Sequence, residues 1–164
     1  MKNKPSELEE EIEAAVIGSL MLDYEGTTSE IADFGISADM FLSGNARIVF
    51  DTIQALAANQ SPIDPITVRE KIGTCADGYS VTTFMSEAID ATPTAAHVAY
   101  YAQLLKQKFE IRRLRSILQA ADRRLDEQPA DMVQAGLMRT LEKNDADPVK
   151  DGITFAEATD KAVE

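Results

Sequence analysis

The sequence predicts an all-α protein: a compact multi-helix head followed by a long helical hairpin. Three observations carry this. Apolar residues recur at helical spacing in six segments, with a seventh beginning at the end of the chain. Capping signals stand at Ser6, Asp64, Thr92 and Thr154. No segment sustains the period-two alternation of strands.

The elements follow in order. Ser6 and Glu9 form an S-x-x-E capping box. Apolar residues then follow at Leu8, Ile12, Val16, Leu20 and Met21, in a helix that should stop near Asp23. Tyr24 to Thr28 reads as a turn around Gly26, and a short helix carries Ile31 and Phe34. Met40 and Phe41 read as a buried plug in a connection. Gly44 and Asn45 open a helix with Ile48, Val49, Ile53 and Leu56 on one side. Asp64-Pro65 is an N-cap followed by proline at the first helical position, and Gly73 is placed to end that helix. Ser80 to Ile89 offers Phe84, Met85, Ala88 and Ile89 to the core. Thr92-Pro93 repeats the cap-then-proline start.

From about Thr94 to Glu127 there is neither Gly nor Pro. A helix of that length would span roughly 50 Å at ~1.5 Å per residue. Its first half holds Val98, Ala102 and Leu105. Its second holds Ile111, Leu114, Leu118, Ala121 and Leu125, spaced as in a coiled-coil seam. After a break at Asp126–Pro129, a helix returns with Val133, Leu137 and Leu141. The expected organisation is a head over residues 6–102, a hairpin over 103–144, a polar linker over 145–152, and a further helix starting within 153–164. That last helix, with Thr154 and Glu157 as a second capping box and Phe155, Ala158 and Ala162 behind it, has about three turns before Glu164. A helix this short is marginal alone, so it is expected either to dock on a partner or to be the start of a longer helix.

Composition excludes several functions. The 164 residues carry 16 basic and 28 acidic side chains, a net charge of −12, which disfavours gripping phosphates over the whole surface. The charge is uneven: residues 103–124 carry +5 and the remainder −17. No apolar run approaches a membrane span and no signal peptide is evident, so a cytoplasmic protein is expected. None of the eight glycines precedes a lysine, so no P-loop exists and no bound cofactor is expected. Cys75 and His97 are the single residues of their kinds. Glu9, Glu10, Glu11 and Glu13 invite comparison with a metal or acid–base cluster, but a solvated face near a helix start is the plainer reading. No catalytic constellation is expected, although a small enzyme with a deep pocket and shifted carboxylates stays open as a rival.

Interaction candidates are clearer. Ile111, Leu114, Leu118 and Leu125 either pack on Val133, Leu137 and Leu141 within the hairpin, or join those residues in an oligomer interface, since two helices alone leave apolar stripe uncovered. Lys108, Arg112 and Arg115 fall on one stripe beside this seam, and Lys106, Arg113 and Arg124 on another. Either stripe suits an acidic partner or nucleic acid, or sets pairing within the hairpin.

Five segments in order resemble the amino-terminal domain of the DnaB family of replicative helicases. Ile12 to Asp23, Ile-Glu-Ala-Ala-Val-Ile-Gly-Ser-Leu-Met-Leu-Asp, is similar to the family's opening helix. Met40-Phe41 with Arg47-Ile48-Val49-Phe50, Pro62-Ile63-Asp64 with Ile66-Thr67-Val68, and Thr92-Pro93-Thr94-Ala95-Ala96 with Tyr101-Ala102 resemble its later segments. Arg113 stands at its hairpin arginine. The tail from Ile153 resembles the start of the linker helix to the motor. Leu42, Ala46 and His97 depart from the family's usual tyrosine, histidine and asparagine, as in a divergent member from a phage or mobile element. The resemblance implies a non-enzymatic collar domain that pairs through its hairpin into dimers and a trimer of dimers and contacts primase and a helicase loader, while the net charge of −12 makes DNA at most a weak ligand. ATP and magnesium would belong to the motor of a longer protein. The alternative is a stand-alone protein that binds a host helicase or primase as adaptor or decoy.

Overall fold

The structure, a computed structural model, describes residues 7–73 and 78–146. The expectations at Ser6, Cys75, the 145–152 linker (save Asp145 and Ala146) and the Thr154 capping box with its helix lie outside those residues. The described residues form seven α-helices: α1 (Glu7–Leu22), α2 (Tyr24–Asp33), α3 (Gly44–Ala58), α4 (Pro65–Ile72), α5 (Gly78–Ala91), α6 (Val98–Leu125) and α7 (Ala130–Ala146). Two 3-10 turns, Ala38–Met40 and Ala95–His97, join them, and the described residues contain no strand. The all-α class read from periodicity is the class found. The chain divides into two compact units between Phe109 and Glu110.

In the first unit, Val16, Ile17 and Leu20 of α1, Val49 and Ile53 of α3, Val68 of α4, Val81 of α5 and Val98 of α6 share one buried core. Helix α1 lies closest to α5. A Cβ on Gly18 would overlap Thr92 Oγ1 and the carbonyl oxygen of Ala88, so glycine is needed there for close approach rather than for backbone freedom. Met40 and Phe41 are buried as expected. The Phe41 ring lies 5.2 Å from that of Phe50, and its carbonyl accepts from Arg47 Nε at 2.5 Å. The Phe41…Arg47…Phe50 pattern is therefore a self-contained clasp at the start of α3.

Local chemistry sets the helix ends. The Asp64 carboxylate accepts from the amides of Ile66 at 2.8 Å and Thr67 at 3.0 Å, while its other oxygen accepts from the Thr67 hydroxyl at 2.9 Å. Gly73 ends α4 with ordinary right-handed dihedrals, whereas Gly35, with φ +61°, uses its freedom just after α2.

Three local expectations need correction. Tyr24 to Thr28 is helix, not turn. Asp23 is an N-cap whose side chain accepts from Gly26 N at 2.9 Å, and Thr27 Oγ1 donates to the Asp23 carbonyl, so the chain restarts helically one residue after α1. Thr92 does not open the long helix: its hydroxyl donates back to the Ala88 carbonyl at 2.7 Å, closing α5, and Thr94 caps the next 3-10 turn. Glu13 is not part of a solvated acidic face. It is 1% exposed, and its two carboxylate oxygens accept from Leu42 N at 2.6 Å and Ser43 N at 2.9 Å. A carboxylate on α1 thus satisfies two amides at the entrance to α3, where an unmet buried donor would be costly.

The second unit comprises the rest of α6 and α7, a helical hairpin. The carbonyl of Arg124 accepts from Glu127 N at 3.0 Å and Gln128 N at 2.8 Å, closing α6, and Val133 N donates to the Pro129 carbonyl as α7 begins. Ala121 and Val133 form the buried centre, with Ala120 and Leu137 packed against them.

Candidate protein-interaction surface

Small residues decide which face of α6 meets α7. At about 100° per residue, Ala121 and Ala120 lie to one side of the row formed by Ile111, Leu114, Leu118 and Leu125. Alanines permit close helix approach, and the packed face forms there: Ala121 is 6% exposed and Val133 3%. Thr140 is buried on the same face of α7, its hydroxyl donating to the Gly136 carbonyl at 2.9 Å. A threonine bonded to its own helix offers that face no unpaired polar atom.

The sequence-derived seam therefore divides in two. Val133 and Leu137 belong to the hairpin's interior. Ile111, Leu114, Leu118 and Leu125 do not pack there; all four are exposed, Leu118 at 50%. Leu141 is exposed on α7, together with Met132 and Met138, which the sequence reading passed over. An apolar row of four residues left to water on one short helical stretch is unusual for a surface that functions alone.

The basic residues border this row. Arg115 is exposed and Arg112 half-buried. By helical angle both lie on the side of Ile111 away from Ala121. Lys108 lies in the first unit and is half-buried there. Hydrophobic row and cationic border together have the makeup of a protein interface: an apolar strip to desolvate and charges to set register.

Among the described residues, no group of three or more His, Cys, Asp or Glu side chains converges as a metal ion would require. His97 is exposed at the end of a 3-10 turn. The Asp64 carboxyl is held below its ordinary value, chiefly by the Thr67 amide and hydroxyl and then by the Ile66 amide. That shift follows from capping α4. No helix among the described residues is long and apolar enough to cross a membrane.

A helical head and a hairpin bearing an exposed apolar row define an all-α domain. Comparison with known proteins gives its lineage. The family described as DnaB-like helicase N terminal domain matches residues 5–107, and the chain belongs to that family. It is 31% identical over 106 residues to the replicative DNA helicase DnaB of Geobacillus stearothermophilus, covering 63% of this chain and 23% of that protein. It is 30% identical over 112 residues to the replicative DNA helicase DnaB of Haemophilus influenzae, covering 65% and 23%. The chain thus spans about a quarter of the length of the curated relatives it matches. Among solved structures, the N-terminal domain of DnaB helicase from Mycobacterium tuberculosis shares the fold, with a TM-score of 0.62 at 23% identity, over 80% of this chain and 96% of that one.

Proposed function

We propose that the chain is the collar module of a replicative DNA helicase, where it assembles copies of itself and receives partner proteins. The observation that carries this is the exposed row Ile111, Leu114, Leu118 and Leu125 on a family member's hairpin, next to a packed face that does not use it. With Leu141 the row forms the oligomer interface, giving a dimer as the unit from which a trimer of dimers is built. Val133 and Leu137 support it from within the hairpin.

Lys108, Arg112 and Arg115 receive an acidic surface of a partner, primase or a helicase loader, and DNA is at most a weak ligand. ATP and magnesium are ligands of a motor domain, not of this chain. Family membership supports the replication setting, and the net charge of −12 supports protein over nucleic acid as the ligand.

Light scattering of the wild type and of Leu118→Asp tests the reading. The wild type should run as a dimer or larger at high micromolar concentration. The variant should shift toward monomer with unchanged helicity, because an aspartate would be buried without a partner only in the assembly. A wild type that stays monomeric throughout that range rejects self-assembly.

A further inference from the structure

We propose that a groove in the first unit, between α1, α5 and the first turns of α6, is a docking site for a cationic amphipathic helix of a partner protein. The groove encloses about 1120 Å³ and lies entirely within residues 8–104. It is therefore distinct from the hairpin row and does not depend on the pairing proposed above.

Its floor is apolar. Phe84 of α5 and Tyr101 and Leu104 of α6 are partly buried against the core. Ala14, Ala15, Ala88 and Ala91 line the groove with short side chains, which gives it depth. Two large residues on its lip face water: Leu8 is 55% exposed and Tyr100 61%. At one end Asn45 Nδ2 donates to Ser80 Oγ at 3.1 Å, tying the start of α3 to α5. The result is a walled trough, the shape that accepts the i, i+3/i+4, i+7 anchors of a helix.

Charge selects the occupant. Three carboxylates line the groove: Glu10 and Glu11 on α1 and Glu87 on α5, all exposed. Among the described residues that line it, none is lysine or arginine. An apolar trough with an acidic rim fits a helix with a Leu- or Phe-rich face flanked by Lys or Arg. It repels phosphates, which disfavours nucleic acid and anionic lipid.

The test is an NMR titration of the ¹⁵N-labelled 164-residue chain. The probe is a Leu/Lys amphipathic peptide of about 18 residues, five helical turns. A Leu/Glu peptide of the same pattern controls for charge, and a peptide of this chain's residues 103–124 stands for a second copy. The Leu/Lys peptide should give saturable shifts centred on Thr83, Glu87 and Tyr100. Glu11→Lys with Glu87→Lys, and separately Tyr100→Ala, should each weaken it roughly tenfold or more, as loss of an interface anchor does. All three positions are exposed, so the fold should persist, and an unchanged spectrum elsewhere checks this. Equal binding of the Leu/Glu peptide, or unsaturable shifts spread over the acidic surface, overturns the proposal. Occupation by the 103–124 peptide but not by the Leu/Lys peptide assigns the groove to a second copy and overturns it equally.

Discussion

Gly18 on α1 lies against Thr92 at the end of α5 so closely that a single added methyl group would overlap the Thr92 hydroxyl and the Ala88 carbonyl oxygen. The Thr92 hydroxyl is itself engaged with that same carbonyl at 2.7 Å. Backbone, glycine and a bonded side chain thus meet at one point.

Gly18→Ala should therefore destabilise the protein even though alanine is the better helix former by about 1 kcal/mol. Overpacking should outweigh that gain and leave a net loss of roughly 1–3 kcal/mol in urea unfolding. Adding Thr92→Ala should recover only part of the loss, since the Ala88 backbone remains in the way. Full recovery in the double variant would mean that the hydroxyl alone forbids the methyl group.

Glu13→Ala should cost about 3 kcal/mol, because two amides at the entrance to α3 lose their acceptor. Glu13→Gln should cost less, since one oxygen remains while the new NH₂ faces a donor. Denaturant melts of the three proteins check the order, and a Glu13→Ala variant as stable as wild type would show that water replaces the carboxylate.

The lowered Asp64 pKa makes the α4 cap depend on pH. A carboxyl whose folded value is depressed contributes stability above its ordinary value, and that contribution is lost as the pH falls through the folded value. The stability gap between wild type and Asp64→Ala should thus be present at neutral pH and narrow in acid below the ordinary carboxylate range, where Asp64 takes up a proton. A gap of constant size across that titration would mean the shape of the cap, not its charge, matters.

Reversing Arg112 and Arg115 to glutamate should weaken binding of a cognate primase carboxy-terminal domain, or the dimer, more than it changes any DNA contact. Wild-type affinity for that domain is expected in the micromolar range of modest interfaces. Single-stranded DNA should bind no better than about 10⁻⁴ M near physiological salt. Titration calorimetry and fluorescence anisotropy read the two arms. Tight, salt-sensitive DNA binding with no response to primase would reverse the assignment.

Much of the fold was legible because its signals are local. Asp64-Pro65 carries cap and first turn in adjacent residues, and the spacing of Val49, Ile53 and Leu56 fixes the inward face of α3. What escaped reading depends on distant or backbone partners. Glu13 looks like any surface acid, since its partners are amides 29 and 30 residues away whose side chains say nothing about them. Gly26 suggests a turn until Asp23 is known to cap across it. The exposed hairpin row was visible as a pattern, but only the placement of Ala121 against Val133 separates it from the packed face. Leu8 and Tyr100 fit an ordinary helical period, so nothing in the sequence marked them as a groove's lip.

The acidic run that opens α1 holds two populations: Glu7, Glu10 and Glu11 face water, and Glu13 is buried. Random substitution through residues 10–13 should split the run in two: Glu10 and Glu11 freely replaceable in an expression screen, and Ile12 and Glu13 intolerant. Surface charge at this end of the molecule can thus drift between lineages, and with it the preference of whatever docks there, while one carboxylate in the same turn stays fixed by folding.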